Sequence, residues 1–102
     1  MELHALGLNY SHDGSFDIRR PKGSGDNLLL IFKSSAVVRL HGNDYTVSPD
    51  SAILFRKGSP QIYRACKGFY INHWLHFDCD DTLTRNYSLP YDTIFTLSDA
   101  AK

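Results

Sequence analysis

Glutamate occurs once in this chain, at Glu2, tryptophan once, at Trp74, and cysteine twice, at Cys66 and Cys79. The lone glutamate leaves paired-carboxylate chemistry to aspartates, and the run Asp78, Asp80, Asp81 reads as a solvated loop with nothing to pair it. Two cysteines without CxxC spacing cannot staple a scaffold, so they read as reduced, half-buried thiols. No charge surplus exists either: 11 Lys and Arg balance 11 Asp and Glu. A free-standing nucleic-acid binder carries a basic excess, and Arg19, Arg20, Lys22, Arg56, Lys57, Arg64 and Lys67 form only short spots diluted by acid. The longest apolar run, Leu28–Phe32, is far too short for a membrane span. Met1-Glu2-Leu3-His4 lacks the basic, apolar, small-residue order of a signal peptide. A cytoplasmic setting with no membrane partner is therefore expected.

Helical periodicity is missing as well. What is present, in 102 residues that are 42% hydrophobic and 13% aromatic, is one domain built of short strands. Met1 to Ser15 is mixed and weakly periodic and reads as an arm, followed by a domain over residues 16–102. Strands are expected at Phe16–Arg20, Asn27–Phe32, Ser34–His41, Asp44–Val47, Ser51–Phe55, Gln61–Ala65, Phe69–Phe77 and Thr93–Leu97. Between them fall turn signals: Pro21 to Asp26, Gly42-Asn43, Ser48-Pro49-Asp50, Arg56 to Pro60 and Cys66-Lys67-Gly68. A polar link spans 78–92. Short strands spaced in this way point to an all-β sandwich or barrel with little helix.

Five histidines invite a metal, but His73 and His76, three apart on a strand, point to opposite faces. His4 and His12 lie in the arm, His41 at a turn, and no His-x-His or His-x-x-x-His occurs. No metal, cofactor or catalytic residue is assigned: serines lack a Gly-x-Ser-x-Gly elbow, and neither cysteine has a marked basic setting. On the strand Phe69–Phe77, period two puts Phe69, Ile71, His73, Leu75 and Phe77 on one face. The other face carries Tyr70, Asn72, Trp74 and His76, joined by Gln61 and Tyr63 from the preceding strand. Rings interleaved with amide, imidazole and hydroxyl groups suit a small polar ligand. They equally suit an outer surface or a dimer contact.

The motifs Arg20-Pro21-x-Gly23-x-x-Asp26, Leu28–Phe32, the hairpin Leu40–Tyr45, Lys57-Gly58-x-Pro60-x-x-Tyr63 and Trp74-Leu75-His76-Phe77 occur in that order. Together, over about Asp17 to Asp81, they resemble the ligand-sensing domain of AraC-type transcriptional regulators. The resemblance implies a cupin, a jelly-roll β-barrel (double-stranded β-helix), belonging to a longer regulator whose helix-turn-helix half holds DNA. It implies that Arg20, Tyr63 and Trp74 hold a small effector, with Asn72 where arabinose sensors have a His, and that Met1–Ser15 is a lid. A sugar or sugar acid is the expected effector, and a homodimer is open to such a domain. The chain departs from cupin enzymes: Ser35 to Asp50 holds only His41, and Arg56, Gly58 and Gln61 fill the Pro-x-Gly-x-x-His slots. Alternatives are a metal-dependent cupin enzyme using His41, His73 and His76, or a dimerisation module with a filled barrel.

Overall fold

A computed structural model describes residues 2–78 and 91–96, and these form nine strands: β1 (Glu2–Asp13), β2 (Asp17–Arg20), β3 (Asn27–Phe32), β4 (Ala36–Leu40), β5 (Asn43–Val47), β6 (Ser51–Phe55), β7 (Gln61–Ala65), β8 (Phe69–Asp78) and β9 (Ile94–Thr96). One sheet runs β1-β8-β3-β6-β9 and the other β2-β7-β4-β5, with every paired strand antiparallel. The chain is thus an all-β, cupin-like barrel flattened into two sheets. No helix occurs among the described residues. Of the polar link expected at 78–92, residues 79–90 lie outside the described residues, as do Cys79 and Leu97.

The sheets form because their facing sides are apolar. Ala36, Val38 and Leu40 are buried while Val37 and Arg39 between them are less so, the alternation of a strand packed on one side. Ser51–Phe55 is buried throughout, as suits β6 between β3 and β9. Leu28, Leu30, Phe32, Val38, Ile53, Phe55, Tyr63 and Tyr70 meet in one core. Full burial of each such side chain stabilises the fold by roughly 1.5–3 kcal/mol.

Three details differ from the sequence reading. The β4–β5 hairpin turns on His41-Gly42, because Leu40 pairs with Asn43. Both turn residues have positive φ, 51° and 82°, the pairing that matches strand twist in a two-residue hairpin. The stretch expected as an arm is the long strand β1, paired along β8 with register shifts between Leu3 and Ala5 and between Gly7 and Tyr10. Those bulges disrupt its period, which is why it looked unpatterned. Cys66 is exposed rather than half-buried, since it stands in the β7–β8 turn.

Candidate functional site

The polar-aromatic face of β8 turns inward along most of the strand, and the apolar face runs from exposed Phe69 to buried Phe77. Tyr70 and Asn72 are buried and Trp74 and His76 half-buried on the inward side, opposite Phe32, Leu30 and Leu28 of β3. Phe69 is exposed, and Leu75 and His73 line an apolar dimple on the outer surface with Leu6, Leu8, Leu29 and Ile31. The polar-aromatic face therefore looks into the barrel. His73 and His76 do lie on opposite sides, with His73 Nδ1 accepting from the Asn9 backbone N–H at 2.9 Å.

Inside, a cavity of about 330 Å³ is lined by Tyr10, His12, Phe16, Ile18, Arg20, Leu28, Tyr63, Asn72, Trp74 and His76. Strand β1 supplies Tyr10 and His12, β2 Ile18 and Arg20, β7 Tyr63, and β8 the rest of the polar wall. The aromatic wall is tightly layered. Phe16 stacks between His12 and Tyr70, 4.3 Å from each ring. Trp74 lies edge-on to Tyr10 at 5.7 Å and to His76 at 5.5 Å.

Of the seven residues singled out from sequence, Arg20, Tyr63, Asn72, Trp74 and His76 line this cavity. Gln61 and Tyr70 stand behind the wall. Tyr70 is fully buried and its hydroxyl accepts from Asn72 Nδ2 at 2.8 Å. Burial also holds the Tyr63 phenol up, to about 12, with Arg20 pulling the other way. Tyr63 has no hydrogen-bond partner among the described residues, so its hydroxyl is available to a ligand.

The polar groups are wired together by the β2–β3 turn. Arg20 Nη1 donates to Gln61 Oε1 at 3.2 Å, fully buried Gln61 Nε2 donates to Ser24 Oγ at 2.9 Å, and Ser24 Oγ donates to the Asp26 carbonyl at 3.0 Å. Asp26 in turn accepts from His76 Nδ1 on one carboxylate oxygen and from His4 Nδ1 on the other, both at 2.8 Å. His4 Nε2 reaches Asp78 at 3.1 Å. Sequence reasoning missed Tyr10, His12, Phe16, Ile18 and Leu28 as lining residues, and Asp26 and His4 as their support. Asp26 does stand in the motif Arg20-Pro21-x-Gly23-x-x-Asp26, three residues after Gly23, and that is the available signal. Among the described residues, no group of three His, Cys, Asp or Glu side chains is placed to hold one metal ion.

With this geometry in view, the fold is similar to that of unsaturated-fatty-acid-bound wild-type ToxT from Vibrio cholerae strain SCE256. The TM-score is 0.60 and the identity 14%, over 99% of this chain and 45% of that one. This chain thus spans less than half the length of the ToxT chain. No family model and no curated protein matches the sequence, so the likeness is one of fold.

Proposed function

We propose that this chain is the effector-sensing domain of an AraC-type transcription regulator, acting in the cytoplasm and binding a small sugar or sugar acid in the barrel cavity without turning it over. The observation that carries the reading is the cavity wall itself. Arg20 lines it with no carboxylate partner among the described residues, its guanidinium held only by neutral Gln61. An unneutralised fork of donors beside aromatic faces is an arrangement for an oxygen-rich ligand. Trp74 covers the apolar face of the ring, and the Tyr63 hydroxyl and Asn72 amide meet its oxygens. An open cavity argues against a barrel filled by its own side chains. Ligand contact with Tyr10 and His12 would bias β1, and through it a DNA-binding half elsewhere in a longer protein, by differential affinity for two arrangements.

A second reading, an acyl carboxylate, is favoured by the likeness to ToxT, an AraC-family regulator with a bound unsaturated fatty acid, and by Ile18, Leu28 and Phe16 in the lining. Trp74 is the only tryptophan, so its emission reports on the cavity wall. Titration with pentoses, hexoses, uronic acids and fatty acids should give a saturable change for one class, abolished in Arg20→Ala. Silence across all four classes would sink the sensor reading.

A further inference from the structure

Arg20 and His76, both in the cavity wall, are the two ends of the hydrogen-bonded chain that passes through Gln61, Ser24 and Asp26. The informative member is Asp26. Its side chain is 14% exposed and receives an imidazole on each oxygen. Burial alone would raise its pKa, but the hydrogen bonds from His4, His76 and Ser24 outweigh that and hold the carboxyl below the usual range. An ionised carboxylate can only accept, so both Nδ1 atoms facing it carry protons. Asp26 therefore fixes the tautomer of His76: when neutral, the ring keeps its proton at Nδ1 and leaves Nε2 as a lone pair. His76 Nε2 has no partner among the described residues, and the ring lines the cavity.

We propose that the cavity binds its ligand by a carboxylate, held between Arg20 and His76 with uptake of one proton at His76 Nε2, and that Asp26 is the positioning residue that prepares this step. The inference rests on the cavity being the effector site. The balance is simple: the ligand enters as an anion, the proton comes from solvent, and no covalent bond changes. Protonation turns Nε2 from an acceptor, which repels a carboxylate, into a donor. The charge of Asp26 compensates the imidazolium from the other side. A neutral hydroxyl ligand meets the lone pair of unprotonated His76 and needs no proton, so acid and alcohol differ in their response to pH.

Among the described residues, titratable groups reach His76 from several elements. Strand β1 brings His4, Tyr10 and His12, the turn brings Asp26, β8 itself brings Asp78, β2 brings Arg20 and β7 brings Tyr63. Strand β3 places uncharged Asn27 and Leu28 beside it. His4 shares Asp26 and also reaches Asp78, so a His4 variant serves as the control for one at His76.

The test compares galacturonate with galactose, and decanoate with decanol, by Trp74 emission between pH 5.5 and 8.5. Calorimetry in buffers of different ionisation enthalpy counts the protons taken up. The expected result is uptake approaching one proton with the acid of one pair toward the alkaline end of this range, where its affinity falls about tenfold per pH unit, as for a single linked proton. The neutral member of that pair should show no such slope. Which acid responds separates a sugar-acid from an acyl source. His76→Gln should flatten the slope, His4→Gln should leave it, Asp26→Asn should remove it and Asp26→Glu restore it. His76→Gln carries the test alone if the Asp26 variants fail to fold. An acid that binds without proton uptake, or a neutral partner that binds as tightly at pH 5.5, overturns the proposal and leaves the cavity reading standing. No response to any of the four overturns both.

Discussion

Gly7 is the position where a single methyl group tests the architecture of the site. It pairs with Trp74 across β1 and β8, and the indole lies directly over its backbone. A Cβ at Gly7 would stand 2.7 Å from Trp74 Cζ2, and closer still to Cε2 and Nε1. Carbon atoms in ordinary contact lie about 3.5–4.0 Å apart, so Gly7→Ala forces the ring away by roughly 1 Å. The ring cannot yield freely, because Tyr10 and His76 meet it edge-on. Overpacking of this kind costs about 1–3 kcal/mol, which for a domain this size lowers Tm by roughly 4–8 °C per kcal/mol. Thermal melting followed by Trp74 emission measures both consequences at once. The variant should melt earlier and its native emission should shift, since the indole moves relative to the cavity. A Gly7→Ala protein with unchanged Tm and unchanged emission would refute the placement of Trp74 against β1, and with it the account of the aromatic wall.

Four further outcomes follow from the same packing. Gly23→Ala should cost more than Gly58→Ala: both have positive φ, 68° and 84°, but only at Gly23 does a Cβ run into backbone, the Ser59 carbonyl and Gly58 C at 2.9 Å. Urea denaturation should give about 1 kcal/mol for the strain at Gly58, and equal losses would contradict the close approach of the two turns. Tyr70→Phe removes the acceptor of a buried Asn72 N–H, so it should destabilise by about 1–3 kcal/mol, and a neutral effect in chemical denaturation would count against that hydrogen bond. Tyr63 has a folded pKa raised by burial to about 12 from 10.0, so its contribution is intact below pH 10 and is lost as pH rises toward the folded value. Tyr63→Phe should therefore flatten the alkaline fall in stability, read as Tm against pH from 9 to 11, and an unaltered slope would argue against its burial. Gln61→Leu removes the partner of both Arg20 Nη1 and Ser24 Oγ, so it should cost about 1 kcal/mol in urea denaturation and weaken binding of a responding ligand about tenfold by freeing the Arg20 side chain, and unchanged affinity would count against that wiring.

Much of the fold could be read from the chain because strand period and turn chemistry agreed. Asn27–Phe32, Ser51–Phe55 and Gln61–Ala65 were expected at the bounds now observed. The hairpin was displaced by one residue because Asn43 tolerates positive φ as readily as His41 does, and composition cannot choose between them. Strand β1 was hidden for a different reason. Its two bulges break the alternation that marks a strand, and its exposed Leu3, Leu6 and Leu8 mix with His4, Asn9 and His12 on a chain edge that packs on one side only.

The site divides along the same physical line. Trp74, Asn72 and His76 were legible because period two along β8 puts them on one face, and that face turned out to be the inward one. Whether a polar-aromatic face points in or out is set by the neighbouring strand of the same sheet, whose paired residues share that face, and here β3 places buried Leu28, Leu30 and Phe32 beside His76, Trp74 and Asn72. Gln61 could be seen as part of the cluster but not as its wiring, since its role depends on Ser24 lying across the β2–β3 turn. Asp26 and His4 were invisible as a pair because they are 22 residues apart and meet only once β1 has paired with β8 and the turn has folded back. The residues that face the cavity come from strands, where periodicity writes them into the sequence. Those that orient the facing groups come from a turn and a bulged edge, where it does not. Gly23 and Gly58 fix that turn against its neighbour through the Gly58 N–H to Ser24 carbonyl hydrogen bond at 3.3 Å, so the motif glycines act on the site at one remove, by holding Ser24 and Asp26 where Gln61 and His76 can reach them.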